Sequence, residues 1–202
     1  MNTTNIDWPG LTHTWNLVTG CKRGCTYCYA RRIHERFNKT PFSDIVFHPE
    51  RLKDKMPKKP TRIFVGSMSD IEYWRVDWAN KIIKVCNDNP QHTFMFLSKN
   101  PWSYGAFEWP ENTMQGLTVP MIDNGYIDDV NEILKYKNSF LSIEPLLGHI
   151  YQSATYHFPN LVIVGAMTGP GAVKPKPEWI QSIKDNIPAD KIHWKSNMKE
   201  YL

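Results

Sequence analysis

The stretch that decides the fold is Thr12-His13-Thr14-Trp15-Asn16-Leu17-Val18-Thr19-Gly20-Cys21-Lys22-Arg23-Gly24-Cys25-Thr26-Tyr27-Cys28-Tyr29-Ala30. Its first part, 12–18, is rich in β-branched and aromatic residues and reads as a strand. Its last part opens a run, 27–37, whose apolar residues recur at three-to-four spacing, as on a core-packed helix. Where the two meet, residues 20–28 hold two glycines and three thiols. Gly20 and Gly24 let the backbone fold tightly, so a short loop can present its cysteines from different directions. Strand, turn and helix form a βα unit with a candidate metal loop at the junction.

Outward from this unit the same rhythm continues. Further strands are expected at 62–65, 93–97, 115–119, 140–143, 161–164 and, more weakly, 191–194. Helices are expected at 76–87, 126–136 and 178–186, the last preceded by Pro177, which a helix start tolerates. No internal repeat interrupts the series. Several strands end in polar or glycine-rich sequence: Gly66-Ser67-Met68-Ser69-Asp70, Ser98-Lys99, Glu144-Pro145 and Gly165-Ala166-Met167-Thr168-Gly169. In a parallel barrel such strand ends gather on the face that carries the site. A closed eight-unit barrel takes about 250 residues, and this chain has 202. The expected fold class is therefore α/β: a partial (open) parallel β/α barrel of about six to seven βα units. The stretches 39–60 and 101–110 read as irregular connections, so 1–202 is expected to be a single domain.

Composition excludes several classes. Apolar residues at 41% and charged residues at 22% describe a folding globular chain, not a disordered one. The polar start, 1–10, has no apolar signal core, and no run approaches the roughly 18 apolar residues of a membrane span. A cytoplasmic location with no membrane partner is expected. The net charge of +4 is compatible with an acidic partner without demanding one, because the basic stretches 53–59 and 81–84 read as solvated faces. In a reducing compartment four cysteines are not expected to pair, and three of them crowd into 21–28, which points to a metal. Cys86 lies in the apolar pattern Ile82, Ile83 and Val85 and is expected to pack as a small hydrophobe.

The three-then-two spacing of Cys21, Cys25 and Cys28, with aromatic Tyr27 just before the last, resembles the radical S-adenosylmethionine (SAM) superfamily. A closer similarity is to a group of uncharacterised radical-SAM-like proteins often encoded by phages and mobile elements. It rests on Thr14-Trp15-Asn16 with Thr19-Gly20-Cys21, Phe64-Val65 with Ser67-Met68-Ser69-Asp70, Ser142-Ile143-Glu144-Pro145-Leu146-Leu147-Gly148, and Val162-Ile163-Val164-Gly165 with Gly169-Pro170-Gly171-Ala172. The resemblance implies one [4Fe-4S] cluster on Cys21, Cys25 and Cys28, with SAM chelating the iron that lacks a protein ligand. It places Tyr27 against the SAM adenine. The superfamily usually meets the SAM amino group with a Gly-Gly-Glu-like sequence after the second strand; here Ser67, Ser69 and Asp70 stand in that place. Lys22, Arg23, Arg31 and Arg32 would offset the charge of the thiolates and the reduced cluster, or serve as ordinary surface charge.

Other polar residues stand at strand ends. Ser142 and Glu144 alternate with Leu141 and Ile143, so both point to one face of their strand. A carboxylate buried there must be paired or functional: Glu144 would contact SAM ribose or substrate, or pair with a lysine such as Lys99 or Lys195. Gly165 and Thr168 lie in a glycine-rich strand end suited to close approach of a nucleoside or carboxylate. His13, His92 and His149 read as structural histidines. The aromatics Tyr73, Trp74, Trp78, Trp102, Tyr104, Phe107 and Trp109 read as core or lid packing, with a stacking surface for a base as the alternative.

The function implied is reductive cleavage of SAM to a 5′-deoxyadenosyl radical acting on an unknown substrate: a nucleic acid, nucleotide or peptide. With one cysteine left over there is no second cysteine-ligated cluster, and an external electron donor is required. The alternatives are a zinc-binding module completed by His13 or His34, and a nucleic-acid-binding accessory module without redox catalysis.

Overall fold

Strand character at 12–18 is realised in two pieces because the chain changes partners between them. In the computed structural model, which describes residues 1–123, 125–151 and 158–202, β1 (Asn2–Thr3) precedes β2 (Leu11–Trp15), and β3 (Val18–Thr19) follows after a two-residue break. β2 pairs parallel with β5 (Arg62–Val65), whereas β3 pairs antiparallel with β4 (Val46–Phe47). At the break the Asn16 side chain accepts hydrogen bonds from Ser67 Oγ (3.1 Å) and the Met68 N–H (3.2 Å), which turns the chain out of the sheet.

α1 (Tyr29–Phe37) lies between β3 and β4, and α2 (Val76–Asn87) between β5 and β6 (Thr93–Ser98). These elements belong to a first compact unit formed by residues 1–6, 10–98 and 103–114. Within it hydrogen-bonded neighbours run β1-β2-β5-β6, antiparallel only at β1. Ile63, Phe64, Val65, Phe94, Met95 and Phe96 are all buried, the continuous apolar run of a strand covered on both faces. α2 buries Ala79, Ile82, Ile83 and Cys86, spaced three, one and three apart, so a single stripe faces the core. Asp77 in its first turn and Lys84 in its last complement the helix dipole. Cys86 is fully buried, as its apolar neighbours predict.

The second unit comprises residues 7–9, 99–102 and 115–202. It contains most of β7 (Thr113–Thr118), then α3 (Ile127–Ile133), β8 (Ser139–Ile143), β9 (Val162–Val164), α4 (Pro177–Asn186) and β10 (Ile192–Trp194). Its strands run β7-β8-β9-β10, all parallel. Leu117, Phe140, Leu141, Ile143, Val162, Ile163 and Val164 are fully buried. Burying a side chain of this size stabilises by about 1.5–3 kcal/mol.

The fold class is thus α/β, of the partial β/α barrel type that the sequence predicts: among the described residues β2-β5-β6 run parallel in the first unit and β7-β8-β9-β10 in the second. α1 begins at Tyr29 instead of 27, because Cys28 takes extended backbone angles and caps it. The connection expected at 101–110 holds a 3-10 turn, Pro101–Ala106, and 39–60 holds β4 and a second one, Pro49–Lys53. Among the described residues no helix is long and apolar enough to cross a membrane.

Candidate functional site

The cysteine loop starts where β3 ends. Gly20 has φ +99°, and a Cβ there would lie 2.1 Å from the Asp44 carbonyl oxygen. Both its conformation and its surroundings therefore require glycine. Its N–H donates to Met68 O (3.0 Å), and the Cys21 N–H donates to Phe42 O (2.8 Å). The loop closes with the Cys28 N–H on Cys25 O (3.2 Å). Cys28 Sγ then accepts the Arg31 N–H at 3.4 Å, the position a serine or aspartate usually fills at a helix start. A sulfur here faces the positive end of a nine-residue helix that has no acidic residue in its first turn.

The strand-end segment 66–70 is fastened to this loop from the same unit. Arg23 forms an ion pair with Glu72 (2.5 Å), and Tyr29 Oη donates to Ser67 O (2.7 Å). Ser67 Oγ is held by Asn16. Ser69 Oγ accepts from Trp74 Nε1 (3.0 Å). Asp70 is buried and accepts from Ser98 Oγ (2.5 Å) and from the Glu72 N–H (3.1 Å). The structure therefore brings Cys21, Cys25, Cys28, Tyr27, Ser67, Ser69 and Asp70 into one unit. Ser69 and Asp70 are fixed in place by their own neighbours.

All three loop cysteines are free and half-buried. Burial pushes the Cys21 thiol up to about 11, against the Arg23 backbone N–H, which lowers it; Asp70, Cys28 and Cys25 push it further up. Charge at Asp70 and at each of the other two thiols is thus felt at Cys21. Among the described residues no group of three or more His, Cys, Asp or Glu side chains meets the geometry of a single-ion site. The donor set nonetheless fits an iron–sulfur cluster: three unpaired, partly accessible thiols on one short loop at a helix start. Loading it must displace protons, Cys21's in particular at neutral pH. Of the two histidines of the zinc alternative, His13 Nδ1 meets Thr12 Oγ1 (2.6 Å) and His34 Nε2 meets Thr40 O (2.9 Å).

In the second unit Glu144 follows β8, and its carboxylate meets three donors. Trp8 Nε1 (3.0 Å) and Ser142 Oγ (3.3 Å) donate to Oε2, and Lys195 Nζ donates to Oε1. Of the two lysines considered, Lys195 is the one paired with Glu144, and Ser142 is fully buried beneath it. Gly165, at the end of β9, leaves room for this carboxylate: a Cβ there would lie 2.6 Å from Glu144 Oε1. The peptide bond Glu144–Pro145 is cis. Thr168 is exposed, between this point and Gly169 at φ +93°. Asn197 secures the strand end by a reciprocal pair of hydrogen bonds with the Ala166 backbone (3.3 and 3.0 Å).

Four of these residues were not legible as site residues. Asn16 carries one local signal, an amide that interrupts a β-branched run. Arg23 was read only as charge, since its partner Glu72 lies 49 positions away. Trp8 and Asn197 gave no signal, because their contacts join chain termini to strand ends.

Known structures share this fold. A cysteine-to-serine variant of spore photoproduct lyase matches with a TM-score of 0.53 over 82% of this chain and 58% of that one, at 13% identity. A tyrosine-to-phenylalanine variant gives 0.50 over 76% and 55%, at 12% identity. A further variant of that lyase, with bound AdoMet and dinucleoside spore photoproduct, gives 0.48 over 67% and 46%, at 16% identity. The chain spans about half the length of the lyase structures it matches. The likeness is one of fold. In sequence, the family model described as "Protein of unknown function (DUF5131)" matches residues 3–197, and the chain belongs to that family. No curated protein matches it in sequence.

Proposed function

We propose that this chain is a radical SAM enzyme that holds one [4Fe-4S] cluster on Cys21, Cys25 and Cys28 and binds S-adenosylmethionine beside it. The observation that carries this reading is the fastening of three free thiols, on one loop, to the polar strand end 66–70. Cys21, Cys25 and Cys28 would hold the cluster, which with SAM would supply one-electron reductive chemistry at a carbon–sulfur bond.

The chain's own residues bind and orient. Cys28 presents its sulfur at the α1 N-terminus, where it accepts the Arg31 N–H. Tyr27 offers a ring to the adenine. Ser67, Ser69 and Asp70 face the amino group, with Trp74 and Ser98 holding the latter two in place. Ser142, Glu144, Gly165 and Thr168 serve SAM ribose or substrate. Glu144 suits that task because Trp8, Ser142 and Lys195 already orient it. The substrate is a nucleic acid, nucleotide or peptide.

Anaerobic reconstitution followed by product analysis tests the reading. The expected result is about four irons and four sulfides per chain, with dithionite-driven release of methionine and 5′-deoxyadenosine. Both should vanish in the Cys21→Ala/Cys25→Ala/Cys28→Ala variant. Stoichiometric zinc without iron, or SAM cleavage that survives loss of all three thiols, would contradict it.

A further inference from the structure

α1 is the helix that Cys28 caps, and it buries only Ala30. Tyr29, Ile33 and Phe37 stand four apart, so they form one stripe along it. The stripe is open, with Tyr29 44%, Ile33 42% and Phe37 79% exposed. Large apolar side chains aligned on one exposed helix face mark a contact surface more than a solvated one.

The surroundings of the stripe are basic. Residues 22–39 carry six Lys or Arg against one acid, Glu35. Lys22, Arg31, Arg36 and Lys39 make no ion pair with a described residue. A complementary surface would be acidic at its rim and apolar at its centre, as in protein–protein contacts. A phosphate backbone would satisfy the cations and leave Ile33 and Phe37 without a use.

The cysteine inventory says what such a partner would do. Three of the four thiols are in the loop, and the fourth, Cys86, is fully buried in the α2 core. Residues 1–202 leave no cysteines for a second centre that would relay electrons to the loop. The α1 face is the basic, apolar surface that begins at the cysteine loop itself; its far end, Phe37, is about 13 Å along the helix axis from Cys28.

We propose that the α1 face, with Ile33 and Phe37 at its centre and Lys22, Arg31, Arg36 and Lys39 around it, docks an acidic one-electron donor protein carrying a flavin or an iron–sulfur centre. The donor is oxidised by one electron and the cluster is reduced by one. This rests on the cluster reading above.

Two measurements separate the two claims. The first uses the cluster-free chain with all three loop cysteines changed to Ala, and titrates it calorimetrically with oxidised flavodoxin and with ferredoxin at low and at physiological salt. Binding to at least one is expected, weakened by salt and weakened about tenfold or more by Ile33→Ser/Arg36→Glu/Phe37→Ser/Lys39→Glu. The charge-only variant Arg36→Glu/Lys39→Glu, which keeps the apolar stripe, should lose most of the salt dependence. The second uses the cluster-loaded chain: reduction by flavodoxin or ferredoxin should slow about tenfold in these variants, while reduction by dithionite is unchanged.

Equal binding and equal reduction rates in wild type and variants would overturn the proposal. So would binding to neither donor, or a loss confined to binding of a DNA or RNA oligonucleotide, which would make the face a nucleic-acid surface. Donor binding that depends on these residues in a chain that assembles no cluster would remove the enzyme reading and leave only an acidic-protein contact.

Discussion

Gly20 shows how much a single position carries. Its φ of +99° and the Asp44 carbonyl oxygen 2.1 Å from the site of a Cβ leave no arrangement for a side chain. Gly20→Ala should cost about 1–3 kcal/mol and displace Cys21, lowering iron uptake; thermal melting and iron content per chain measure both effects. The sequence marked this residue as a turn glycine, and the reason it must be glycine lies in a carbonyl 24 positions away that no spacing rule reveals. His92 was legible only as a structural histidine. It is 1% exposed, and neither ring nitrogen finds a geometrically sound hydrogen bond among the described residues. Burial pushes its pKa below the usual imidazole range, and His13 adds to the fall. A lowered folded pKa favours neutral His92 in the native state, so its full contribution to stability is present above about pH 6.5 and is lost as pH falls. His92→Leu should remove that loss: in urea unfolding the variant should gain on wild type between pH 7.5 and pH 5. A constant difference across that range would contradict the assignment.

Elements were easier to read than their ends. α2, β5 and most of β8 and β9 were legible, because continuous apolar runs and three-to-four spacing are local signals. The break after Trp15 was not, because β2 and β3 choose different partners, and partner choice is not written locally. The ends of β8 and β9 depend on each other in the same way. Glu144 is gripped by Trp8, Ser142 and Lys195, and Gly165 is the space its carboxylate occupies. Removing the carboxylate leaves Lys195, whose side chain is 17% exposed, without its partner. Glu144→Ala should therefore destabilise by about 1–3 kcal/mol. Gly165→Ala should cost a similar amount by pushing the carboxylate off its donors. Since both act on the same contact, the double variant should cost clearly less than the sum; denaturant unfolding of the four proteins measures the coupling. Additive losses would mean that Gly165 acts through backbone alone.

At the scale of the chain, the fold class followed from length and from the alternation of strands and helices. The crowding of three thiols into 21–28 is a local signal, plain in the sequence. The fastening of loop to strand end is not, because it runs through Asn16, Arg23, Glu72 and Tyr29, side chains whose partners are distant in sequence. The account's central claim is that these thiols hold a redox cluster open to SAM. Electron paramagnetic resonance of the anaerobically reconstituted, dithionite-reduced protein, with and without SAM, tests it most directly. The account predicts a [4Fe-4S]⁺ signal that changes shape on adding SAM and is absent from the Cys21→Ala/Cys25→Ala/Cys28→Ala variant. A reduced-cluster signal that SAM leaves unchanged, or no signal in a protein that takes up zinc instead, would contradict it.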